Sequence, residues 1–396
     1  MLDSIFIGMS GLTGYSKGLR VIGNNLTNVN TPGFKGSQLQ FADLFYQGGA
    51  AGQGPTGGGA QLGMGLNTLA TAINFKAGEL RQTGGDLDLA VNGEGFFVLR
   101  DGEQASYTRA GQFQFNKDGF LVSTTNGLRV AGLSDTGELT DISLSGLRTN
   151  PPKATATVKF TGNISSDAAT DVTLNGVTLI DPVGGEHIVK LVFKNNSATT
   201  PGNWTVTISD TKGTIDTGDI QFNSGSPDSN ASSVKFTYAP TGVPPFTVTL
   251  DFSKEVTSFA AGNTSTVAVS SQDGVSEGAL TKTTIDDEGT VVLNYSNGQT
   301  VKGQRLALAG FDSSDDVQAL GGSEYSSTNS QGVHLGHAKS QSFGSLSSGV
   351  IESANVDLAE EFSNLIVMQR GYQASSHVIS TANDMIQELF DMKGHR

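Results

Sequence analysis

The chain has 396 residues, of which 36% are apolar and 16% charged, with a formal net charge of −14. It contains no cysteine, which excludes disulfide bonds and thiolate catalysis. The acidic balance argues against a nucleic-acid partner, since phosphate binding needs a basic surface, and the absence of any apolar run near ~20 residues indicates a protein that is not embedded in a membrane.

Residues 1–30 are predicted to form an N-terminal helix, because apolar residues recur in it at spacings of three and four. Pro32 disfavours helical geometry in the residue before it, so the helix should end at 30–33. The helix contains five glycines, and each costs roughly 1 kcal/mol relative to alanine. They indicate either a close helix–helix approach or a segment that stays soft until a partner packs on it. The residues predicted to form an assembly interface are Ile5, Met9, Leu12, Leu19, Ile22 and Leu26.

Residues 31–70 are predicted to be an extended, Gly-rich linker. Its first part, 34–47, is rich in aromatic and aliphatic residues and is typical of an adhesive segment. Its second part, 48–65 (GGAAGQGPTGGGAQLGMG), has a flexible composition. It lacks the Lys-Ser/Thr ending of a phosphate-binding loop, so we favour a linker.

Residues 71–148 are predicted to form a β domain. Two apolar runs in residues 87–102 (LDLAVNGEGFFVLRDG) flank Asn92-Gly93, which predicts a tight hairpin between them. A second hairpin is predicted about residues 116–119, which end in Asp-Gly.

Residues 149–284 are predicted to form a second β domain that is inserted into the first. This segment is rich in threonine, and short alternating stretches recur in it at regular spacing, as in a sandwich or barrel. Residues 285–345 return to the earlier pattern. We therefore predict one middle domain, 71–148 plus 285–345, interrupted by an outer domain at 149–284.

Residues 350–396 are predicted to form a long C-terminal helix, which Asp357 can cap. Small and apolar residues recur along it at alternating spacings of four and three, which is the pattern of a coiled-coil seam. Two unrelated amphipathic helices are the alternative, but opposite net charges favour pairing of the two ends. The predicted interface residues are Leu358, Phe362, Leu365, Tyr372, Ile379, Ile386 and Phe390.

The predicted fold is therefore mostly β with terminal α-helices. The two helices form a coiled-coil-like inner domain with 1–30 and 350–396, and two nested antiparallel β domains of barrel or sandwich type follow. The two helices lie at opposite ends of the chain, so both β domains are inserted between them.

Residues suited to catalysis are present but do not form a recognisable site. His334 and His337 could be half of a metal site, but no second cluster supplies further ligands. Residues 286–289 (DDEG) do not have the spacing of a calcium loop, and acids before Gly are ordinary in a hairpin turn. We predict no catalytic residue, cofactor or metal, and a protein that is not an enzyme.

Three blocks of the sequence resemble the flagellar rod and hook proteins of bacteria. They are residues 21–35 (VIGNNLTNVNTPGFK), residues 87–97 with 107–113 (LDLAVNGEGFF and YTRAGQF), and residues 353–358 with 366–372 (SANVDL and IVMQRGY). The signature residues that carry the resemblance are Asn24, Asn25, Asn28, Thr31, Pro32, Gly33, Phe34, Asn355, Val356, Asp357, Gln369 and Tyr372.

The resemblance implies an extracellular, tubular homopolymer of the flagellum, adjoining the basal body. It also implies rod, hook-cap and hook–filament junction proteins as partners, and export by the flagellar type III apparatus. An insertion at 149–284 favours a hook member of the family. A distal-rod protein with an unusual insertion and, in another class, a secreted β-rich adhesin remain alternatives.

Overall fold

The computed structural model describes residues 2–44, 46–48, 61–134, 136–340 and 342–394. Phe45 of the predicted adhesive segment, most of the predicted Gly-rich stretch (49–60) and His395 lie outside these residues. The chain divides into two compact units. Unit 1 comprises Met1–Ser145, Thr283–Val292 and Lys302–Arg396, and unit 2 comprises Gly146–Lys282 and Leu293–Val301.

Unit 1 begins with a long helix and continues with short strands. These elements are α1 (Leu2–Thr27), β1 (Ser37–Asp43), β2 (Tyr46–Gly48), β3 (Gln61–Gly63), β4 (Leu66–Ile73), β5 (Leu80–Gln82), β6 (Leu89–Asn92), β7 (Phe96–Asp101), β8 (Gln104–Thr108), β9 (Phe113–Phe115), β10 (Leu121–Ser123), β11 (Arg129–Leu133) and β12 (Leu139–Asp141).

Unit 2 is built from longer strands, and three further strands carry the chain across the boundary back to unit 1. The strands of unit 2 are β13 (Thr149–Asn150), β14 (Thr157–Asn163), β15 (Val172–Ile180), β16 (Glu186–Asn195), β17 (Asn203–Asp210), β18 (Gly213–Asn223), β19 (Ser226–Pro227), β20 (Ser233–Tyr238), β21 (Phe246–Thr257) and β22 (Ala268–Gln272). The boundary strands are β23 (Gly278–Ile285), β24 (Thr290–Tyr295) and β25 (Thr300–Arg305).

The chain then completes unit 1 and ends in the second helix. The closing elements are β26 (Leu308–Phe311), β27 (Val317–Gly321), β28 (Glu324–Ser327), β29 (Val333–Gly336), β30 (Ser345–Ser348), β31 (Val350–Glu352) and α2 (Leu358–Gly394). Both predicted terminal helices and the β-rich middle of the chain are thus confirmed, but the C-terminal helix begins at Leu358 and not at residue 350, because Val350–Glu352 pair with β5 as strand β31.

The main sheet of unit 1 has the order β27–β28–β8–β7–β11–β10–β9, with β12 paired to β11 and β26 paired to β7 and β29. Its buried side chains include Phe96, Val98 and Tyr107. The hairpin predicted about residues 116–119 joins β9 to β10, and the Asn116 carboxamide accepts from the Phe120 amide at 2.9 Å.

The hairpin predicted at Asn92-Gly93 is wrong. Strand β6 pairs with β30 and not with β7, which pairs with β8, β11 and β26. Gly93 and Gly95 adopt φ values of 115° and 125°, a left-handed region that turns the chain away from a tight hairpin. The local Asn-Gly signal therefore marks a change of sheet.

Unit 2 has two sheets, β20–β21–β14–β22 and β15–β16–β17–β18–β19, that share one apolar core. Alternate residues of the strands enter this core, as the sequence pattern predicts for a sandwich. The prediction of antiparallel pairing is wrong at one place, because β14 and β21 run parallel. Lone Trp204 is buried in the core and donates to the Ser258 hydroxyl at 3.2 Å.

The described part of the predicted linker is a β-ribbon. Strands β1 and β4 pair antiparallel from Ser37↔Ile73 to Asp43↔Leu66, and β2 pairs with β3. The side chain of Leu66 contacts Gly14 of α1, and Lys17 Nζ donates to Thr68 Oγ1 at 2.9 Å. The segment is extended, as predicted, but it lies against the first helix.

Candidate assembly interface

The two terminal helices pack against each other antiparallel through small residues. Gly8 faces Ile379, Gly11 faces Ser375 and Gly18 faces Met368. A Cβ atom at Gly8 would lie 2.6 Å from Ile379 Cγ1, and one at Gly11 would lie 2.5 Å from Ser375 Oγ. The glycines therefore permit a close approach, which is the first of the two explanations considered above.

The contact continues to both sides of this central stretch. The ring of Tyr15 lies over Gly371, where an added Cβ would meet it at 2.5 Å. Near the other end of the pair, the Asn25 carboxamide donates to Glu361 Oε1 at 2.8 Å. Helix α2 is capped as predicted, because Asp357 Oδ1 accepts from the amides of Ala359 and Glu360 at 2.8 and 3.2 Å.

The predicted interface residues fall on two faces of the helix pair. In α1, Ile22 is buried, Met9 is exposed, and Ile5, Leu12, Leu19 and Leu26 are half-buried. In α2, Leu365, Ile379 and Ile386 are half-buried, whereas Leu358, Phe362, Tyr372 and Phe390 are exposed. The contact between the helices runs through Met368, Gly371 and Ser375, so only part of the predicted seam meets α1.

Large apolar side chains are consequently left exposed along α2, and together they form the open apolar surface of this helix. Its exposed large side chains are Leu358, Phe362, Ile366, Val367, Tyr372, Val378, Met385, Leu389, Phe390 and Met392. A monomer seldom exposes so many large apolar side chains on one helix, and such surfaces mark interfaces with other molecules.

Most of the signature residues lie at the junction between the helix pair and the β region of unit 1. The Asn28 carboxamide donates to the Asn24 carbonyl at 2.9 Å, which satisfies the last turn of α1. Asn25 bridges to β1, because its Oδ1 accepts from the Ser37 amide at 3.0 Å and its Nδ2 donates to the Ser37 carbonyl at 2.8 Å. Thr31, Pro32 and Phe34, half-buried, form the turn that follows.

The C-terminal signature closes the same junction from the other end of the chain. Asn355 Oδ1 accepts from the Gly36 amide at 2.8 Å, and its Nδ2 donates to the Asn74 carbonyl at 2.6 Å. Val356 also packs near Gly36. Gln369 and Tyr372 lie apart from the junction on the exposed side of α2.

Gly33 shows why this turn needs its particular residue. Its φ is 68°, in the left-handed region, and its amide donates to the Glu352 carbonyl at 2.8 Å. A Cβ atom there would lie 2.3 Å from the Ala110 amide nitrogen. Both the backbone conformation and the close approach exclude a side chain.

A buried cluster of three charged groups, Lys35, Arg109 and Glu352, holds the junction together. Glu352 Oε1 accepts from Lys35 Nζ at 2.5 Å and from the Gly78 amide at 2.8 Å, and Glu352 Oε2 lies 3.3 Å from Arg109 Nη1. Lys35 Nζ also donates to the Lys76 carbonyl at 2.7 Å, and Arg109 Nη2 donates to the Gly93 carbonyl at 2.9 Å.

The electrostatics of the cluster follow from its burial. Burial lowers the pKa of Lys35 and that of Arg109, and the carboxylate of Glu352 opposes both effects. Burial also raises the pKa of the nearby Tyr325 phenol to about 12. Two cations share one carboxylate, so Glu352 is the residue whose loss would leave the most uncompensated charge.

Sequence reasoning missed this cluster. Its members come from three places in the chain, and each lies within or beside a signature block: Lys35 after Phe34, Arg109 in YTRAGQF and Glu352 before SANVDL. A charged residue inside an otherwise apolar or Gly-rich block was the available signal, but nothing local indicates its partner.

No chemistry-bearing site accompanies these contacts in the part of the chain that the structure describes. His334 Nε2 lies 2.7 Å from Asp312 Oδ1, and no group of three or more potential ligands forms a metal site among the described residues. Residues 286–289 form a turn, in which Asp286 Oδ1 accepts from the Thr290 amide at 2.7 Å. Neither of the described helices is both long and apolar enough to span a membrane.

Three family models match the chain in order. Residues 5–35 match the flagella basal body rod protein family, residues 90–175 match the flagellar hook protein FlgE/F/G D1 domain, and residues 347–392 match the flagellar basal body rod FlgEFG protein C-terminal family. The first and last of these cover the two helices and the junction. The matches define the class as the rod and hook proteins of the flagellum.

Similarity to individual proteins extends over nearly the whole chain. It is 30% identical to the flagellar hook protein FlgE of Borreliella burgdorferi, over 99% of this chain and 100% of that protein. It is 31% identical to FlgE of Escherichia coli K12, over 97% and 98%. The chain therefore belongs to the flagellar hook protein family.

Two further comparisons are more distant. The flagellar basal-body rod protein FlgG of Bacillus subtilis is 25% identical over 99% of this chain and 100% of its own length. The crystal structure of the Helicobacter pylori flagellar hook protein FlgE2 matches 67% of this chain and 98% of its own, with 14% identity and a TM-score of 0.47. Whole-chain similarity to hook proteins is not what the adhesin hypothesis predicts.

Proposed function

We propose that this protein is the structural subunit of the bacterial flagellar hook. In this function it self-assembles into a hollow, flexible tube, outside the cell and adjoining the basal body, that acts as a universal joint and passes torque from rod to filament. The observation that carries the proposal is the open apolar surface of α2, in a chain that belongs to the hook family.

This open apolar surface supplies the driving force for assembly. Burying a large apolar side chain stabilises by about 1.5–3 kcal/mol. Even partial burial of several such residues at each contact favours a polymer over a monomer. The predicted interface residues on both helices, exposed and half-buried, are the ones we propose to meet neighbouring subunits.

Torque transmission needs stiffness in twist together with compliance in bending. We attribute the stiffness to packed terminal helices and to the segment 34–65, which would bridge neighbouring subunits. We attribute the compliance to the faces of unit 2, where exposed residues of the strands such as Thr173, Lys190 and Thr217 are polar. Contacts between polar faces allow neighbouring subunits to slide more readily than apolar interfaces do.

Assembly in the flagellum sets the proposed partners. They are further copies of this chain, the rod, the hook cap, the hook–filament junction proteins and the type III export apparatus. Export with the ends unfolded is compatible with the Gly-rich α1. We therefore expect low helicity of both ends in dilute monomer, and full helicity there by circular dichroism would contradict this part of the proposal. No catalytic activity is part of this function.

Electron microscopy of the purified protein under polymerising conditions tests the proposal. Tubes are expected from the wild type and not from a soluble monomeric adhesin. Leu365→Asp and Ile379→Asp, which place a charge in the half-buried helix face, should abolish the tubes. Ser380→Asp, at an exposed polar position of the same helix, is the matched control and should leave them intact. Tubes formed equally by all four proteins would contradict a role for the helix face.

A distal-rod protein with an insertion is the second candidate, favoured by the similarity to FlgG over nearly the whole chain. Deleting residues 151–284 separates the two. A rod protein should still assemble in the rod without them, whereas the hook subunit should lose hook function. A deletion strain with a normal, flexible hook would contradict the proposed function of the inserted unit.

A further inference from the structure

The antiparallel register of the helices places the end of α2 beyond the first described residue of α1. Gly8 faces Ile379 and Gly11 faces Ser375, so Leu2, the first described residue of α1, lies level with the turn around Asp384. Beyond that turn α2 continues to Gly394. This overhang, residues 384–394, is roughly ten residues or about 15 Å long.

The overhang has two adjacent stripes of different chemistry. Asp384, Glu388 and Asp391 are exposed at spacings of four and three and form an acidic stripe. Met385, Leu389 and Met392 repeat the same spacings one position later, and their exposed fractions are 46%, 48% and 71%. The overhang is thus an apolar strip with a row of carboxylates along one side.

A groove of matching chemistry runs between α1 and β4. We define the α1–β4 groove by Phe6, Met9, Thr13, Lys17 and Arg20 on the helix and by Leu66 and Thr68 on the strand. It consists of two adjoining hollows of about 470 and 570 Å³, which share Lys17 and Thr68. Its helix wall is one stripe that is apolar at Phe6 and Met9 and basic at Lys17 and Arg20.

We propose that the α1–β4 groove of one subunit binds the overhang of a second copy of this chain, an inference that rests on the proposed function and specifies one contact within the polymer. The apolar strip of the overhang packs on Phe6, Met9 and Leu66. Its carboxylates face Lys17 and Arg20. Opposite charge across the contact sets its register and suppresses other pairings.

The occupant must come from another copy because α2 is an unbroken helix to its last described residue. The overhang projects past the first described turn of α1, so it cannot reach the groove beside α1 in its own chain without a break in α2. Groove and overhang are different surfaces, so the contact is heterologous and every bound copy offers both again. Contacts of this kind generate rings or helical polymers.

Charge reversal tests the contact, and mixing identifies its two sides. Lys17→Glu/Arg20→Glu makes the groove acidic, and Glu388→Lys/Asp391→Lys makes the overhang basic. Each double variant alone should raise the critical concentration for polymerisation by about tenfold, as a loss near 1.4 kcal/mol would. In a 1:1 mixture the acidic groove of the first variant can bind the basic overhang of the second, and the basic groove of the second can bind the acidic overhang of the first. The mixture should therefore polymerise close to the wild-type critical concentration.

The control is Arg81→Glu/Lys302→Glu, which changes the net charge by the same amount as the groove variant at exposed positions of unit 1 outside the groove. It should leave the critical concentration unchanged. Three results would each overturn the proposed contact: tubes from the groove or the overhang variant at the wild-type concentration, no rescue on mixing, or an equal loss in the control. None of them would contradict the proposed function as long as the wild type forms tubes. Absence of wild-type tubes would instead contradict the proposed function.

Disulfide trapping is a second test of the contact, and it does not depend on charge. The wild-type chain has no cysteine, so introduced thiols are the only ones present. A Thr13→Cys/Leu389→Cys variant, oxidised under polymerising conditions, should give a ladder of covalent oligomers. A Thr13→Cys/Gln387→Cys variant places the second thiol on the far side of the overhang and should stay largely monomeric on a denaturing gel. A stronger ladder from the Gln387 variant would overturn the proposed orientation.

Discussion

The core of unit 2 and the terminal helix pair differ in how far their large apolar side chains are buried. Trp204, Phe193 and Phe252 in unit 2 are 1%, 0% and 0% exposed, whereas Phe362 and Phe390 in α2 are 51% and 69% exposed. Unit 2 satisfies its apolar side chains within itself. The helix pair leaves many of its own exposed, and we propose that contacts with other copies bury them.

The difference has a geometric cause. A strand sends alternate residues to one face, so two sheets facing each other can bury every apolar position of both. A helix with apolar residues around more than one stripe cannot bury all of them against a single partner helix. Helix α2 packs one face on α1, and we propose that its remaining apolar side chains serve assembly.

The largest expected effect comes from removing a buried ring from the core of unit 2. Phe252→Ala removes a ring that stacks on Phe160 at 4.5 Å and meets Phe193 edge-on at 5.7 Å. We expect a loss of about 3–5 kcal/mol in the free energy of unfolding of unit 2. The fluorescence of Trp204, the single tryptophan, reports it in urea titrations.

The matched control for Phe252→Ala is Phe390→Ala, which removes an exposed ring of α2. It should leave the Trp204 transition of the monomer in place and weaken polymerisation. A large shift of the urea midpoint by Phe390→Ala would break the distinction between the two regions.

The second effect concerns the junction that attaches the helix pair to the β region of unit 1. Glu352→Gln leaves Lys35 and Arg109 buried without their carboxylate, and we expect a loss of about 3–5 kcal/mol in the stability of unit 1. Hydrogen exchange of the amides of Gly33 and Gly78 would report it. Asp141→Asn, which removes a partly exposed partner of Arg100 and Arg129, should cost only about 0–1 kcal/mol. Equal losses would show that burial does not distinguish the two ion pairs.

The third effect separates two glycines of α1 that have equal intrinsic helix propensity. Gly8→Ala places a methyl group against Ile379, and we expect the lost packing, about 1–3 kcal/mol, to outweigh the gain in propensity. Gly23 has no neighbouring atom within 4 Å of an added Cβ, so Gly23→Ala should stabilise α1 by about 0.5–1 kcal/mol. Thermal melts of the assembled tube, followed by circular dichroism at helical wavelengths, should show opposite shifts. Stabilisation by both variants would mean that close approach is not what these glycines provide.

The smallest effect is a pH dependence of helix pairing. Burial raises the pKa of the Glu361 carboxyl, the hydrogen bond from Asn25 opposes this, and Glu360 reinforces it. The folded chain thus holds the proton more tightly than the unfolded chain, so this group stabilises fully below its ordinary pKa, and its contribution is lost as pH rises through the raised pKa.

The variant Glu361→Gln should therefore gain stability relative to wild type as the pH is raised from about 4 to 7. Thermal midpoints of the assembled tubes of the two proteins across that range measure the difference. A relative loss for the variant with rising pH would contradict the direction of the pKa shift.

The sequence by itself determined the elements whose causes are local. The spacing of apolar residues determined both helices, Asp357 determined the start of α2, and alternation determined the strands of unit 2. The signature blocks determined the family. The sequence also contained the glycines of α1, but it left open whether they served close packing or softness.

Only the tertiary structure decided which distant segments meet. It paired β6 with β30 instead of β7 and ran β14 parallel to β21. It brought Glu352 to Lys35 and Arg109 across 317 and 243 residues of chain. It also set the helix register that leaves the overhang of α2 open. These outcomes depend on packing and charge compensation between remote groups, whereas capping and periodicity act within one or two turns of chain.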